Sequence, residues 1–190
     1  MNPLHTFRAW FDEATAAGET EPALMALATA SSDGAPSVRF VLLRGITDDA
    51  LHFFTNYRSR KGNELAGNPR AAISIYWPSL GRQVRAEGPV ERLSASASDA
   101  YFAQRPRGSQ IAAVVSPQSE PVESIASLRA KASEMAATQG TAPVVRPAHW
   151  GGFGVSVSRI EFWIAGADRL HERTVHVREG AGWRTEVLGP

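Results

Sequence analysis

Apolar positions recur at helical spacing at the start of the chain and alternate like strands after it. Leu4, Phe7, Phe11 and Ala14 repeat every three or four residues with Trp10 beside them, which predicts an amphipathic helix over residues 3–17, stopped by Gly18. Residues 23–31 fit helix or strand by composition. The turn signal Ser32-Asp33-Gly34-Ala35-Pro36 and the β-type run behind it favour a strand and a hairpin. Strand 37–44, a turn at Thr47-Asp48-Asp49 and strand 51–55 continue the pattern. Three strands on short turns predict an antiparallel meander or barrel.

A short helix is predicted from Ser59, a good N-cap, to Asn68-Pro69. Residues 70–77 and 82–93 read as a strand pair around Pro78-Ser79-Leu80-Gly81. Residues 94–104 read as a helix from a Ser94 cap, and 110–115 as a short apolar run. A polar loop follows at 116–121, then a one-sided helix over 122–138. Residues 140–148 are a connector rather than a domain boundary, because too few residues follow for a second core. The last β region opens at His149-Trp150-Gly151-Gly152-Phe153-Gly154. Residues 155–164 alternate, Arg169 to Arg173 read as a strand, and 182–188 close the chain. The sum is one domain over 1–190, with a helical insertion at about 94–138 and C-terminal strands at about 153–188.

Candidate chemistry sits on this pattern. Arg39-Phe40-Val41-Leu42-Leu43-Arg44 places two guanidiniums in an apolar strand, where an unpaired charge is costly. Alternation puts Arg39 and Arg44 on opposite faces, serving different anions unless a bulge intervenes. Pairing with carboxylates such as Glu87 or Glu91 is the plainer alternative. Arg60 and Lys61 follow the Ser59 cap, where free N–H groups and the helix dipole favour an anion; the alternative is a solvated basic helix end. Tyr101 and Arg105 share a helix face. With Arg107 and Ser109 they form a corner suited to a phosphate monoester, or a loosely solvated loop. On a strand, Arg169, His171 and Arg173 share one face, and three cations in a row call for an anion or electron-rich ligand opposite. Gln83 has a donor and an acceptor to offer a heterocycle.

Composition narrows the classes. A net charge of +1 over 190 residues gives no general field for nucleic acid or an anionic membrane, so any positive site is local. The absence of cysteine excludes disulfides, thiolate metal sites and a cysteine nucleophile. No metal-ligand spacing, Walker A, GxGxxG or GxSxG is present. With no signal-peptide pattern and no spanning apolar run, a cytoplasmic protein is the expectation.

Seven motifs then occur in one order: RFVLLR (39–44), FFTNYRSRK (53–61), RQV (82–84), YFAQRPRGSQI (101–111), QSE (118–120), WGGF (150–153) and IEFW…RLHER (160–173). On these, from about Pro3 to Pro190, the chain resembles the pyridoxine (pyridoxamine) 5'-phosphate oxidases. The resemblance implies an α+β, mainly β fold: an antiparallel, Greek-key-like FMN-binding split β-barrel with peripheral helices, homodimeric, with FMN at the subunit interface. It implies oxidation of pyridoxamine or pyridoxine 5'-phosphate to pyridoxal 5'-phosphate, by hydride transfer to the flavin and reoxidation by dioxygen. Arg39, Arg60 and Lys61 resemble the FMN-phosphate ligands. Phe40, Val41, Leu42, Phe54, Thr55, Gln83, Gln118, Ser119, Trp163 and Arg173 belong with them as cofactor residues, some reaching across the dimer. Tyr101, Arg105 and Ser109, with Arg44, match the substrate-phosphate group, and Arg169 and His171 the catalytic residues that hold and orient the pyridine ring.

Two departures from the family pattern carry expectations. Arg44 stands where the family usually has lysine, which keeps the charge and changes the fork geometry. The chain begins close to its first helix, so the longer N-terminal arm that serves some members as a lid is expected to be missing. Two other readings remain: a sister flavin oxidase of the phenazine-biosynthesis branch, whose fused aromatic acid needs no phosphate corner, and an FMN-binding barrel without turnover.

Overall fold

The computed structural model describes residues 2–190. The first helix, α1 (Pro3–Ala16), starts on an Asn2 cap whose side chain accepts from the Leu4 N–H at 3.0 Å. Its apolar face lies on the barrel core: Trp10 meets Phe162 edge-on at 5.0 Å, and Phe7 lies 6.1 Å from Trp77.

Three strands and a two-residue bridge follow: β1 (Leu24–Ala30), β2 (Pro36–Leu42), β3 (Gly45–Ile46) and β4 (Ala50–Asn56). Then come α2 (Arg60–Gly67), β5 (Arg70–Trp77) and β6 (Arg82–Arg92). Three helices, α3 (Ala95–Gln104), α4 (Arg107–Val115) and α5 (Ile125–Gln139), interrupt the strands. The chain ends with β7 (Trp150–Ser156), β8 (Arg159–Ile164), β9 (Glu172–Glu179) and β10 (Gly182–Val187). All the pairings are antiparallel, as the short turns predict.

The eleven-residue β6 divides the sheet. Arg82–Pro89 pairs with β5; on the other edge Arg82–Glu87 pairs with β8 and Val90–Arg92 with β7. The split falls at Gly88, where a Cβ would stand 1.8 Å from the Ser156 carbonyl. Only glycine admits the chain crossing from β7 to β8 at that point. β7 continues to β4, and the Arg44 N–H donates to the His52 carbonyl at 2.8 Å, which brings the sheet round from the end of β2 to β4. This is a split antiparallel barrel with helices outside. Its core is the inward row of Met25, Leu27, Leu51, Phe53, Ile73, Ile75, Val84, Val155 and Ile160, each at most 3% exposed. A second cluster, Phe102, Ile111, Val144 and Trp150, fastens the helical insertion to the barrel.

Four expectations change. Residues 110–115 are no isolated apolar run but the body of α4, which starts at Arg107. The run 155–164 is two strands broken at Val157 and Ser158. Arg44 lies beyond the end of β2, so alternation does not govern it. Arg169 and His171 are not on a strand: Ala167–Arg169 is a 3-10 turn and β9 begins only at Glu172. The Gly166-Ala167-Asp168 turn runs on through Arg169, with φ of 53° at Asp168 and 63° at Arg169. Among the described residues no helix is long and apolar enough to cross a membrane.

Candidate functional site

A cavity of about 960 Å³ opens between β2, the end of β4, the start of α2 and the helical insertion. Apart from Gln83 and Arg107, the candidates up to Ser119 line it: Arg39, Phe40, Val41, Leu42, Arg44, Phe54, Thr55, Arg60, Lys61, Tyr101, Arg105, Ser109, Gln118 and Ser119. Arg39 and Arg44 therefore face one cavity, because the strand ends between them.

One corner forms where β4 turns into α2. Ser59 caps the helix, its hydroxyl accepting from the Gly62 N–H at 3.4 Å. The turn is tight enough that a Cβ on Gly62 would stand 2.2 Å from the Tyr57 carbonyl. Lys61 is thereby turned inward and is only 7% exposed. Its Nζ donates to Thr55 Oγ1 at 3.1 Å, Ser59 Oγ at 3.2 Å and Gln118 Oε1 at 3.3 Å, all uncharged acceptors. Burial first, then the Arg39 charge, pulls its pKa down to about 8, against an opposing pull from Glu64. Among the described residues no carboxylate hydrogen-bonds this ammonium.

Arg39 lies beside it, pinned by the Thr29 and Ser37 hydroxyls and by Glu64 at 3.2 Å. Glu64, rather than Glu87 or Glu91, is the carboxylate that Arg39 finds; Glu87 pairs with Arg159 at 3.4 Å. Arg60 Nε reaches the other Glu64 oxygen at 2.8 Å.

The second corner is at the helical insertion. Arg105 lies 4.5 Å over the Trp150 ring, and its Nη1 is buried with no hydrogen-bond partner among the described residues. Burial, with Arg44 nearby, lowers its pKa against an opposing effect of Tyr101. Among the described residues neither Arg44 nor Arg105 has a carboxylate partner. Tyr101 stacks on Phe54 at 3.9 Å, and Trp150 stacks behind Phe54 at 5.6 Å, so an aromatic wall carries this corner. Arg107 does not join it; its guanidinium is taken by the Gly140 and Ala142 carbonyls.

The remaining candidates lie elsewhere, on β6, β8, β9 and the turn before β9. Gln83 is registered with Trp163, and Trp163 with Arg173. His171 lies 4.5 Å from the Trp163 ring, and its Nδ1 accepts from the Gly166 N–H at 3.2 Å. In the neutral ring that leaves the proton on Nε2. Arg173 donates to Glu161 at 2.9 Å. Burial pushes the Glu161 carboxyl up, but hydrogen bonds from Arg173 and Arg85 outweigh it and hold its pKa below the ordinary value. This cluster and Arg169 do not meet the cavity within one chain. The sheet face between them is apolar and open: Val38 is 69% exposed and Phe40 71%. A smaller cavity of about 420 Å³ lies on that face, lined by Ala26, Val38, Ser74, Arg85 and Glu161.

Sequence reasoning missed Glu64, Trp150 as the ring under Arg105, and Glu161. Glu64 had a signal in its four-residue spacing from Arg60. Trp150 and Glu161 lie inside the quoted motifs, but nothing in the chain pattern marks their partners.

A split barrel with paired cationic corners in one aromatic-walled cavity defines a protein built for phosphorylated ring ligands. A sequence model described as "Pyridoxamine 5'-phosphate oxidase" matches residues 11–139, and one described as "Pyridoxine 5'-phosphate oxidase C-terminal dimerisation region" matches 150–190. The chain belongs to the pyridoxine/pyridoxamine 5'-phosphate oxidase family. It is 49% identical over 189 residues to the pyridoxine/pyridoxamine 5'-phosphate oxidase of Rubrobacter xylanophilus, covering 100% of this chain and 87% of that protein. Its identity to the Salinibacter ruber protein of the same name is 49% over 192 residues, covering 100% and 89%. Among solved structures, PhzG from Burkholderia lata 383 in complex with tetrahydrophenazine-1-carboxylic acid matches with a TM-score of 0.95 at 33% identity, covering 100% of this chain and 93% of that one. A pyridoxamine 5'-phosphate oxidase-related, FMN binding protein from Nostoc punctiforme shares the fold, with a TM-score of 0.79 at 18% identity over 97% of each chain.

Proposed function

We propose that this chain is an FMN-dependent oxidase of pyridoxamine 5'-phosphate, pyridoxine 5'-phosphate or both, forming pyridoxal 5'-phosphate. The observation that carries the reading is the pair of cationic corners in one cavity, since a flavin phosphate and a substrate phosphate need one each. The residues present fit FMN. Lys61 is buried among neutral acceptors, and the Arg39 and Arg60 guanidiniums flank it. These three would hold the phosphate, with Thr55, Gln118 and Ser119 nearby and Phe40 to Leu42 along the ring. When bound, FMN supplies a hydride acceptor at N5 and reacts with dioxygen to give hydrogen peroxide.

The chain's own part is to bind, orient and shield. Arg105, with Arg44, Tyr101 and Ser109, would take the substrate phosphate, giving the orphaned Arg105 Nη1 an acceptor. Arg169 and His171 would hold the pyridine ring, His171 offering its Nε2 proton as a donor. Gln83, Trp163 and Arg173 would complete the flavin site of a second copy. Support for a homodimer comes from the open apolar sheet face and from the dimerisation-region match over 150–190.

The test is anaerobic mixing of the FMN-loaded protein with pyridoxamine 5'-phosphate, followed by flavin absorbance. Bleaching that recovers on admitting air, with pyridoxal 5'-phosphate formed, is expected. The match to PhzG favours a second reading, oxidation of a fused aromatic acid. Bleaching by such an acid and not by pyridoxamine 5'-phosphate would transfer the assignment.

A further inference from the structure

Glu64 is a carboxylate at the heart of a cationic corner, and none of the site assignments above uses it. It is 8% exposed, and its two oxygens collect four groups from three elements. Thr29 of β1 and Ser37 of β2 donate their hydroxyls, Ser37 reaching the two oxygens at 2.8 and 2.6 Å. Arg39 of β2 donates at 3.2 Å, and Arg60, four residues before it on α2, at 2.8 Å. Thr29 and Ser37 also accept from Arg39, so hydroxyl, guanidinium and carboxylate form one closed network. The carboxylate therefore fixes two guanidiniums that stand on different elements. It also leaves Arg39, Arg60 and Lys61 with two net positive charges, matching a phosphate dianion.

We propose that Glu64 is a positioning residue for the cofactor phosphate: it holds Arg39 and Arg60 in place and sets the corner's net charge. The proposal rests on the reading of that corner as the FMN-phosphate site. It also reaches Lys61. The groups facing that ammonium are Arg39 from β2, Glu64 from α2, and the neutral Thr55, Ser59 and Gln118. Of the two charged groups only Glu64 favours the protonated form, so its charge keeps Lys61 available to an anion.

The experiment is titration of the cofactor-free full chain with FMN and, separately, with riboflavin, between about pH 6.5 and 9.5. Wild type is expected to prefer FMN, with the preference falling as Lys61 loses its proton above about pH 8. Glu64→Gln should bind riboflavin unchanged and FMN about tenfold more weakly. Its alkaline loss of FMN affinity should begin at lower pH. An FMN-to-riboflavin ratio within about twofold of wild type, with the alkaline limb unmoved, overturns the proposal; a merely structural Glu64 would give that result in any variant that folds. Should Glu64→Gln fail to fold, Ser37→Ala removes one of its hydroxyl partners and should lower the same ratio about threefold; no change there overturns the proposal equally. If wild type binds riboflavin as tightly as FMN, the phosphate reading of the corner itself falls, which is a different result.

Discussion

The corner around Lys61 carries its own carboxylate, and the corner around Arg105 carries none. In the first, Glu64 pairs Arg39 and Arg60, and the hydroxyls of Thr29 and Ser37 donate to its oxygens as well. Burial pushes the Glu64 carboxyl up, yet these hydrogen bonds outweigh it and bring its pKa to about 2. In the second, Arg105 keeps a buried donor without a partner, with Arg44 adding like charge. Counting cations, three in the first corner and two in the second, would make the first the more strained. The carboxylate makes the difference, because it decides how much unfavourable free energy a corner holds while no anion is bound. A braced corner is organised before its ligand arrives and suits a resident cofactor. An unbraced one gains most at the moment of binding, and its aromatic floor keeps it in shape meanwhile.

The largest effect expected is at Lys61. Lys61→Met should weaken FMN binding about a hundredfold, from about 3 kcal/mol of lost charge-assisted bonding, and leave riboflavin nearly unchanged. Flavin fluorescence quenching measures both. The sign with pH follows from the depressed lysine. Anion binding needs the ammonium, so affinity is full below about pH 8 and declines as pH rises through that value. Glu64 gives the opposite limb. Its folded-state value lies below its ordinary one, so the stability it contributes is present above about pH 4.5 and is lost as pH falls toward about 2. Acid denaturation of the cofactor-free protein should steepen there, and Glu64→Gln should flatten it.

Arg105→Met breaks the comparison from the other side. It should raise KM for pyridoxamine 5'-phosphate about thirtyfold, from about 2 kcal/mol, with FMN still bound. It also deletes the orphaned donor, so the ligand-free protein should melt higher, by roughly 2–4 °C per kcal/mol recovered. Arg39→Met should do the reverse and lower the melting temperature, since it strips a buried carboxylate of a partner. Arg169 lies in neither corner. Arg169→Ala should leave both phosphate affinities within about twofold and slow flavin reduction about tenfold, read by stopped-flow absorbance.

How far the sequence carries the reader differs between these regions. Ser59, Arg60 and Lys61 could be placed because a cap and its two following cations are local, and local geometry follows from short spacing. The hairpins followed from turn residues in the same way. Glu64 could not be seen for what it is, because three of its partners, Thr29, Ser37 and Arg39, reach it across two strands. Arg169 misled for a different reason. The alternation of RLHER imitates a strand, but a glycine-led turn takes precedence and puts Arg169 at positive φ. Ser119, the one other non-glycine candidate at positive φ, sits in the QSE loop. Ser119 was named through resemblance alone and Arg169 through its alternation with His171 and Arg173 as well, and the backbone geometry of neither was legible.

Arg44 should give the smallest effect, and it sharpens the contrast most finely. The family usually has lysine here. Arg44 stands past the end of β2, is solvent-exposed, and makes no ion pair among the described residues. Its backbone N–H is held by the His52 carbonyl, so either side chain starts from the same place. In a braced corner an arginine-to-lysine exchange would be costly, because the fork is what the carboxylate grips. Here nothing grips it, and a phosphate accepts a point charge as well as a fork. Arg44→Lys should therefore shift KM by no more than about threefold, whereas Arg39→Lys, losing the fork between Glu64 and the two hydroxyls, should weaken FMN binding by about tenfold. Equal effects at the two positions would mean that the carboxylate does not distinguish the corners.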